Sequence, residues 1–180
     1  MSGAQPAAQK PPVLPLIAEV IPEAMKDIRA WIGWRYAFRN GNWTKEPVDI
    51  KSGGFAKTDD PSTWVDFSTA LVSWERLGCD GIGWCRTGDY LFVDLDGVLD
   101  EAGNIRQFSW ASKILSAVVG RAYLEVSVSG TGLHAICRGT LPSGRRQLDV
   151  KGLNHTGFAF YDGNRFFTFT GHVWPPEGKI

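Results

Sequence analysis

A chain of 180 residues that is 43% hydrophobic can bury a substantial core, which excludes disorder of the whole. Its 19 Lys and Arg balance 19 Asp and Glu, so no global positive field draws in nucleic acid, and any such binding must rest on local patches. Cys79, Cys85 and Cys137 show no CxxC spacing, which argues against structural zinc and a disulfide framework, and no apolar run approaches the ~18 residues of a membrane span. A soluble protein of the reducing cytoplasm is the expectation.

Residues 1 to 21 mix Ala, Pro and Gln with little periodicity and read as a flexible N-terminal arm or tether, ahead of a single domain over 22 to 180. Pro22 opens a short helix with Ala24, Ile28 and Ala30 inward, followed by the aromatic strand WIGWRYAFR. An Asn40-Gly41 turn joins that strand to NWTKEPVDI as a hairpin. Over DDPSTWVDFSTALVSWERLG, Asp60 as cap, Pro61 in the first turn and Trp64, Phe67, Leu71 and Trp74 at three- and four-residue spacing predict one helix. GIGWCR and YLFVDLD follow as strands across Thr87-Gly88-Asp89, and a second helix over 108 to 119 turns Trp110, Ile114, Leu115 and Val118 inward. The remainder is strand-rich: AYLEVSVS, LHAICRG, then GFAFYD and RFFTFTG across Asp162-Gly163-Asn164. These alternations predict an α+β fold with much antiparallel pairing.

The stretch LFVDLDG carries the chemistry. Strand alternation turns Val93 and Leu95 to the core and projects Asp94 and Asp96 together from the other side. Carboxylates at i and i+2 stand roughly 7 Å apart, a spacing that can bridge two divalent ions about 3.5 to 4 Å from each other. Two alternatives compete: a strand-end turn whose aspartates satisfy backbone amides, and the nucleophile loop of a haloacid-dehalogenase-type phosphatase. The phosphatase needs further motifs on successive parallel strands of a doubly wound sheet, whereas the residues after Asp96 read as antiparallel. Beside the acids, LEVSVSGTGLHAI supplies a phosphate-binding element. Glu125, Ser127 and Ser129 share one strand's polar face, Gly130 and Gly132 allow a tight turn, and Ser129, Thr131 and His134 add donors.

In this order, WIGWR, NWTKEPVD, TDDPSTW, GIGWC, FVDLDG, YLEVSVSGTGLHAI, LPSGRR and YDGNRFFTFTGH make the chain from about Trp31 resemble the archaeo-eukaryotic primase superfamily. The likeness is to the bifunctional primase-polymerase domains of phage and plasmid replication proteins. The resemblance implies an N-terminal α/β module packed on a sheet resembling an RNA-recognition motif, with the catalytic cleft between them. It also implies metal-dependent transfer of a nucleotide from dNTP or NTP to a 3′-hydroxyl on a single-stranded DNA template. Asp94 and Asp96 would hold two divalent ions, Mg²⁺ or Mn²⁺. His134, with Ser129 and Thr131, would grip the triphosphate, and Arg165 would add positive charge. Arg35 and Lys45 match basic positions in the family's N-terminal strands, and a helicase domain or partner often accompanies such domains.

One departure stands out. The family places a third acidic ligand two residues before the tyrosine of YDGNRFFT, where this chain has Ala159. Alternation gives Gly157, Ala159 and Tyr161 to the site and Phe158 and Phe160 to the core. Either Asp149 or Asp162 substitutes, or the chain is an inactivated nucleotide- and DNA-binding module. Trp34 or Trp43 could stack on template bases, and Arg145, Arg146 and Lys151 form a small basic cluster that could meet a template backbone.

Overall fold

The computed structural model describes residues 9–142, 147–151 and 156–176, so Arg145 and Arg146 lie outside the described residues. Within them the chain is α+β, as the alternations predict, and every strand pairing is antiparallel. The first sheet is built from β1 (Trp31–Arg39), β2 (Asn42–Val48), β3 (Gly81–Cys85) and β9 (Phe166–Thr168), in the order β2-β1-β3-β9. The second contains β4 (Tyr90–Asp96), β5 (Tyr123–Val126), β6 (Leu133–Arg138), β7 (Gln147–Lys151) and β8 (Gly157–Tyr161), ordered β5-β6-β4-β8-β7. No helix among the described residues is long and apolar enough to cross a membrane.

The β1–β2 hairpin forms at the expected turn, with Asn40 and Gly41 both at positive φ, as a two-residue hairpin loop of matching twist requires. The predicted long helix is instead broken. Asp60 caps a single 3-10 turn over Pro61–Thr63, and Trp64 and Val65 run extended so that Val65 can pair with Trp31. Asp66 then caps the seven-residue helix α2 (Phe67–Ser73). Helical spacing of Trp64 and Phe67 is thus real in sequence but spans two elements, because backbone pairing to β1 outweighs one more helical turn. The first helix, α1 (Glu23–Lys26), is short and buries Met25, while Ala24 is exposed and Ala30 is buried beyond its end.

Two apolar clusters separate the layers. Val93, Leu95, Leu133 and Ala135 turn to one face of the second sheet and pack with Ala111, Leu115 and Val118 of α3 (Ser109–Val118). Phe158 and Phe160 join that side, as their alternation predicts. The other face brings Phe92, Ile136, Tyr123 and Tyr161 against Trp31, Ile82, Trp84 and Phe167 of the first sheet. Phe92 sits at the joint, its ring centroid 4.5 Å from Phe167 and 5.7 Å from Trp84. Its full burial makes it a principal contact between the sheets.

The consecutive strands β8 and β9 do not pair with each other. β8 lies between β4 and β7, whereas the chain crosses after Asn164 so that β9 completes the first sheet beside β3. This crossover carries Arg165 to the boundary between the sheets.

Candidate active site

Cross-strand register assembles the site. Asp94 lies opposite His134 on one side and Ala159 on the other; His134 in turn faces Glu125, and Ala159 faces Asp149. Directly opposed residues in antiparallel strands share a face, so Glu125, His134, Asp94 and Ala159 make one row on the face toward the first sheet. The backbone of Asp149 occupies the next place in that row.

A cleft of about 210 Å³ opens above the row, lined by Lys45, Asp94, His134, Tyr161, Arg165 and the 166–168 segment. Asp94 is partly exposed, and its Oδ1 is 3.9 Å from His134 Nε2. The Thr168 carbonyl lies 3.1 Å from His134 Nδ1 and can only accept, so Nδ1 carries a hydrogen and Nε2 is left facing Asp94. The Phe167 ring, with its centroid 4.4 Å from that of His134, fixes the imidazole plane. Across the cleft, Lys45 rises from β2, its ammonium 5.9 Å from the centroid of the Trp34 ring. Desolvation lowers the Lys45 ammonium from the ordinary lysine value, while the carboxylates of Asp94 and Asp96 pull it the other way. Arg165 stacks its guanidinium 4.6 Å from the centroid of Tyr161, which holds the cation at the cleft wall.

Asp96 is one pleat further along β4 and exposed. Beside it runs the glycine-bracketed turn. A Cβ at Gly132 would stand 2.7 Å from the Leu95 carbonyl oxygen and 3.0 Å from Ser127 Oγ, so only glycine lets the turn lie this close to the acidic strand. Ser127 and Ser129 belong to this turn and not to β5, which ends at Val126. Their hydroxyls are 3.0 Å apart, and Ser129 Oγ is 3.1 Å from Thr131 Oγ1. The Gly130 N–H is already donated to the Ser127 carbonyl, so the turn offers the exposed Ser129 and Thr131 side chains at the Asp96 end, outside the cleft lining.

The structure therefore brings Asp94, His134, Lys45 and Arg165 together, with Asp96, Ser129 and Thr131 alongside. Arg35 stands apart. It opposes Glu46 in register, on the face of β1 away from Lys45, near the Cys79 thiol, whose pKa burial raises. Asp162 is also directed elsewhere: its Oδ2 accepts the Leu141 N–H at 2.8 Å, and it does not line the cleft. Glu125, without a role on sequence grounds, proves to be fully buried. It accepts the N–H groups of Thr170 and Gly171 and the Tyr123 hydroxyl, with Oε1 3.6 Å from His134 Nδ1. Only register reveals this position, and register is not written in the local pattern. Among the described residues, no group of three His, Cys, Asp or Glu side chains is placed to hold a metal.

No family model matches the chain. Over 160 residues, 88% of its length, the chain is 30% identical to a protein of Nitratiruptor phage NrS-1 named DNA primase-polymerase, and it spans 21% of that relative's length.

Proposed function

We propose that the chain is a DNA primase-polymerase catalytic domain of the archaeo-eukaryotic primase type. It would join the α-phosphorus of a dNTP or NTP to a 3′-hydroxyl on a single-stranded DNA template and release pyrophosphate. The observation that carries this reading is one cleft in which the acid Asp94, with Asp96 beside it, faces Lys45, His134 and Arg165. The name of the phage relative supports it.

The donor set suits magnesium or manganese. Asp94 and Asp96 offer hard carboxylate oxygens, and Mg²⁺ is commonly bound through one or two carboxylates plus water and substrate phosphates. Such ions, when bound, would stabilise charge on the attacking and leaving oxygens. The chain's own side chains supply the rest. Lys45 and Arg165 neutralise the polyphosphate from opposite walls. His134, its ring held by the Thr168 carbonyl at Nδ1, turns Nε2 toward the phosphates beside Asp94. The hydroxyls of Ser129 and Thr131 stand at the outer end, where a substrate oxygen leaving the cleft can reach them.

A second reading is favoured by position 159. A methyl group stands in the row beside Asp94 where a carboxylate would complete the ligand set, which suits a module that binds nucleotide and DNA without turnover. Asp149, one strand further in the same row, is the substitute that would restore an acid. A helicase acting with this domain is the partner the reading implies. Primer extension on a single-stranded template with Mg²⁺ or Mn²⁺ decides between the readings, using the chain, Ala159→Glu, Asp149→Ala and the double Asp94→Ala, Asp96→Ala change. The expected outcome is extension by the chain that the double change abolishes and Asp149→Ala reduces at least tenfold. Extension by Ala159→Glu alone would establish the binding-module reading, and silence of all forms without dNTP binding would overturn both.

A further inference from the structure

The acids and cations of the cleft leave the aromatic side chains next to it unexplained. β3 pairs with β1 only over Trp31 to Trp34, whereas the β1–β2 ladder continues from Arg35 opposite Glu46 to Arg39 opposite Asn42. The hairpin therefore projects as a two-stranded ribbon. Tyr36 and Phe38 of β1 share one face with Lys45 and Trp43 of β2, because Tyr36 opposes Lys45 and Phe38 opposes Trp43. Their rings form a chain: Tyr36 to Trp43 at 6.3 Å and Phe38 to Trp43 at 5.2 Å between centroids. Phe38 is 46% exposed, while Tyr36 and Trp43 are half-buried.

Lys45 shows where this face leads, since the same side chain lines the cleft with Asp94 and His134. The cleft holds about 210 Å³, less than the ~300 Å³ at which pockets begin to enclose whole ligands of nucleotide size. Its charged and polar lining suits phosphates, with the bases extending beyond it. A formal net charge of zero gives little long-range pull on a polyanion, so a nucleic acid needs contacts that do not depend on charge. Exposed aromatic rings provide such contacts, because every base presents a π-face.

We propose that Tyr36, Phe38 and Trp43 form a stacking platform for the bases of single-stranded DNA, whose backbone passes Lys45 on its way to Asp94 and Asp96. This rests on the cleft being a nucleotidyl-transfer site, and it adds the surface along which the strand lies. The opposite face of the ribbon carries the ion pair of Arg39 with Glu46, which compensates its charge and leaves the aromatic face as the one suited to bases.

The test is binding of a fluorescent oligo-dT by anisotropy, with Mg²⁺-dNTP binding by the unchanged chain measured alongside by calorimetry. Phe38→Ala and Phe38→Leu are expected to weaken oligo-dT binding about tenfold each, and Phe38→Trp to retain it. The leucine variant keeps apolar bulk and removes only the π-face, so a packing role would tolerate it. Wild-type affinity in Phe38→Leu, or a chain that binds Mg²⁺-dNTP but no oligo-dT, overturns the platform. Oligo-dT binding that is Phe38-dependent without any dNTP binding upholds the platform and overturns the active-site reading. Absence of both kinds of binding overturns both.

Discussion

A carboxylate taken wholly out of water must be matched by donors, and Glu125 is matched by the Thr170 and Gly171 N–H groups and by the Tyr123 hydroxyl. Burial, and then Glu125 itself, drive the Tyr123 hydroxyl above the ordinary tyrosine range, so it remains a donor. These bonds hold the 168–171 segment, whose Thr168 carbonyl orients His134. Glu125→Ala would strand two buried N–H groups and is expected to cost roughly 2 to 6 kcal/mol, read as a lower urea midpoint with an unchanged slope. Glu125→Gln keeps one oxygen and should cost less than half as much; an equal loss in both would show that charge and not acceptor geometry matters. The sequence pattern marks Asp94 and His134 because each lies in a recognisable motif, whereas their cross-strand pairing comes from the β4–β6 register. It is silent on Glu125, which lies nine positions from His134 and meets it only through the β5–β6 register.

Elements were legible where one local rule governed them. The Asn40-Gly41 hairpin, the strand of Asp94 and Asp96, and α3 each follow from turn chemistry or a clean period. α2 failed that test because two rules compete over the same residues, helical spacing against the pairing of Val65 with Trp31. The cap that matters is consequently Asp66. Its carboxylate accepts the Ser68 hydroxyl at 2.6 Å, the Thr69 N–H at 2.8 Å and the Thr69 hydroxyl at 2.8 Å. Those bonds, the Ser68 one foremost, draw its pKa from 3.8 down to about 2. A depressed folded-state pKa stabilises the fold above the unfolded value, and that contribution is lost as pH falls from 3.8 toward about 2. Asp66→Ala should therefore cost about 1 kcal/mol at neutral pH. In urea titrations at successive pH values, the gap between the two proteins should begin to close below pH 4; a gap that stays constant to pH 3 would remove the cap from the account.

At the scale of the whole molecule, the chain path ties the two sheets together. The first sheet takes β9 from the end of the chain, after β8 has joined the second, so the first sheet cannot be cut out as a continuous segment and the second, β4 to β8, is inserted between its strands β3 and β9. No local pattern in GFAFYD or RFFTFTG announces this, because a short apolar strand carries no label for the sheet it will enter. The N-terminal segment adds further ties, with Leu14 N–H bonded to the Val128 carbonyl and Ile17 N–H to the Thr170 carbonyl. Gly171 makes the second approach possible, since a Cβ there would stand 1.9 Å from the Ile17 carbonyl oxygen. Buried Trp31, Trp34 and Trp84 report on the first sheet and its boundary, while the far-ultraviolet signal reports on all strands and α3. If the crossover makes one cooperative unit, indole near-ultraviolet and far-ultraviolet unfolding curves coincide at a single midpoint. Phe92→Ala, by opening a cavity at the joint, should then lower both midpoints together, at a cost of about 3 to 5 kcal/mol. Separation of the two curves, with the indole signal lost first, would mean that the sheets unfold independently and that the cleft between them opens before the rest of the molecule does.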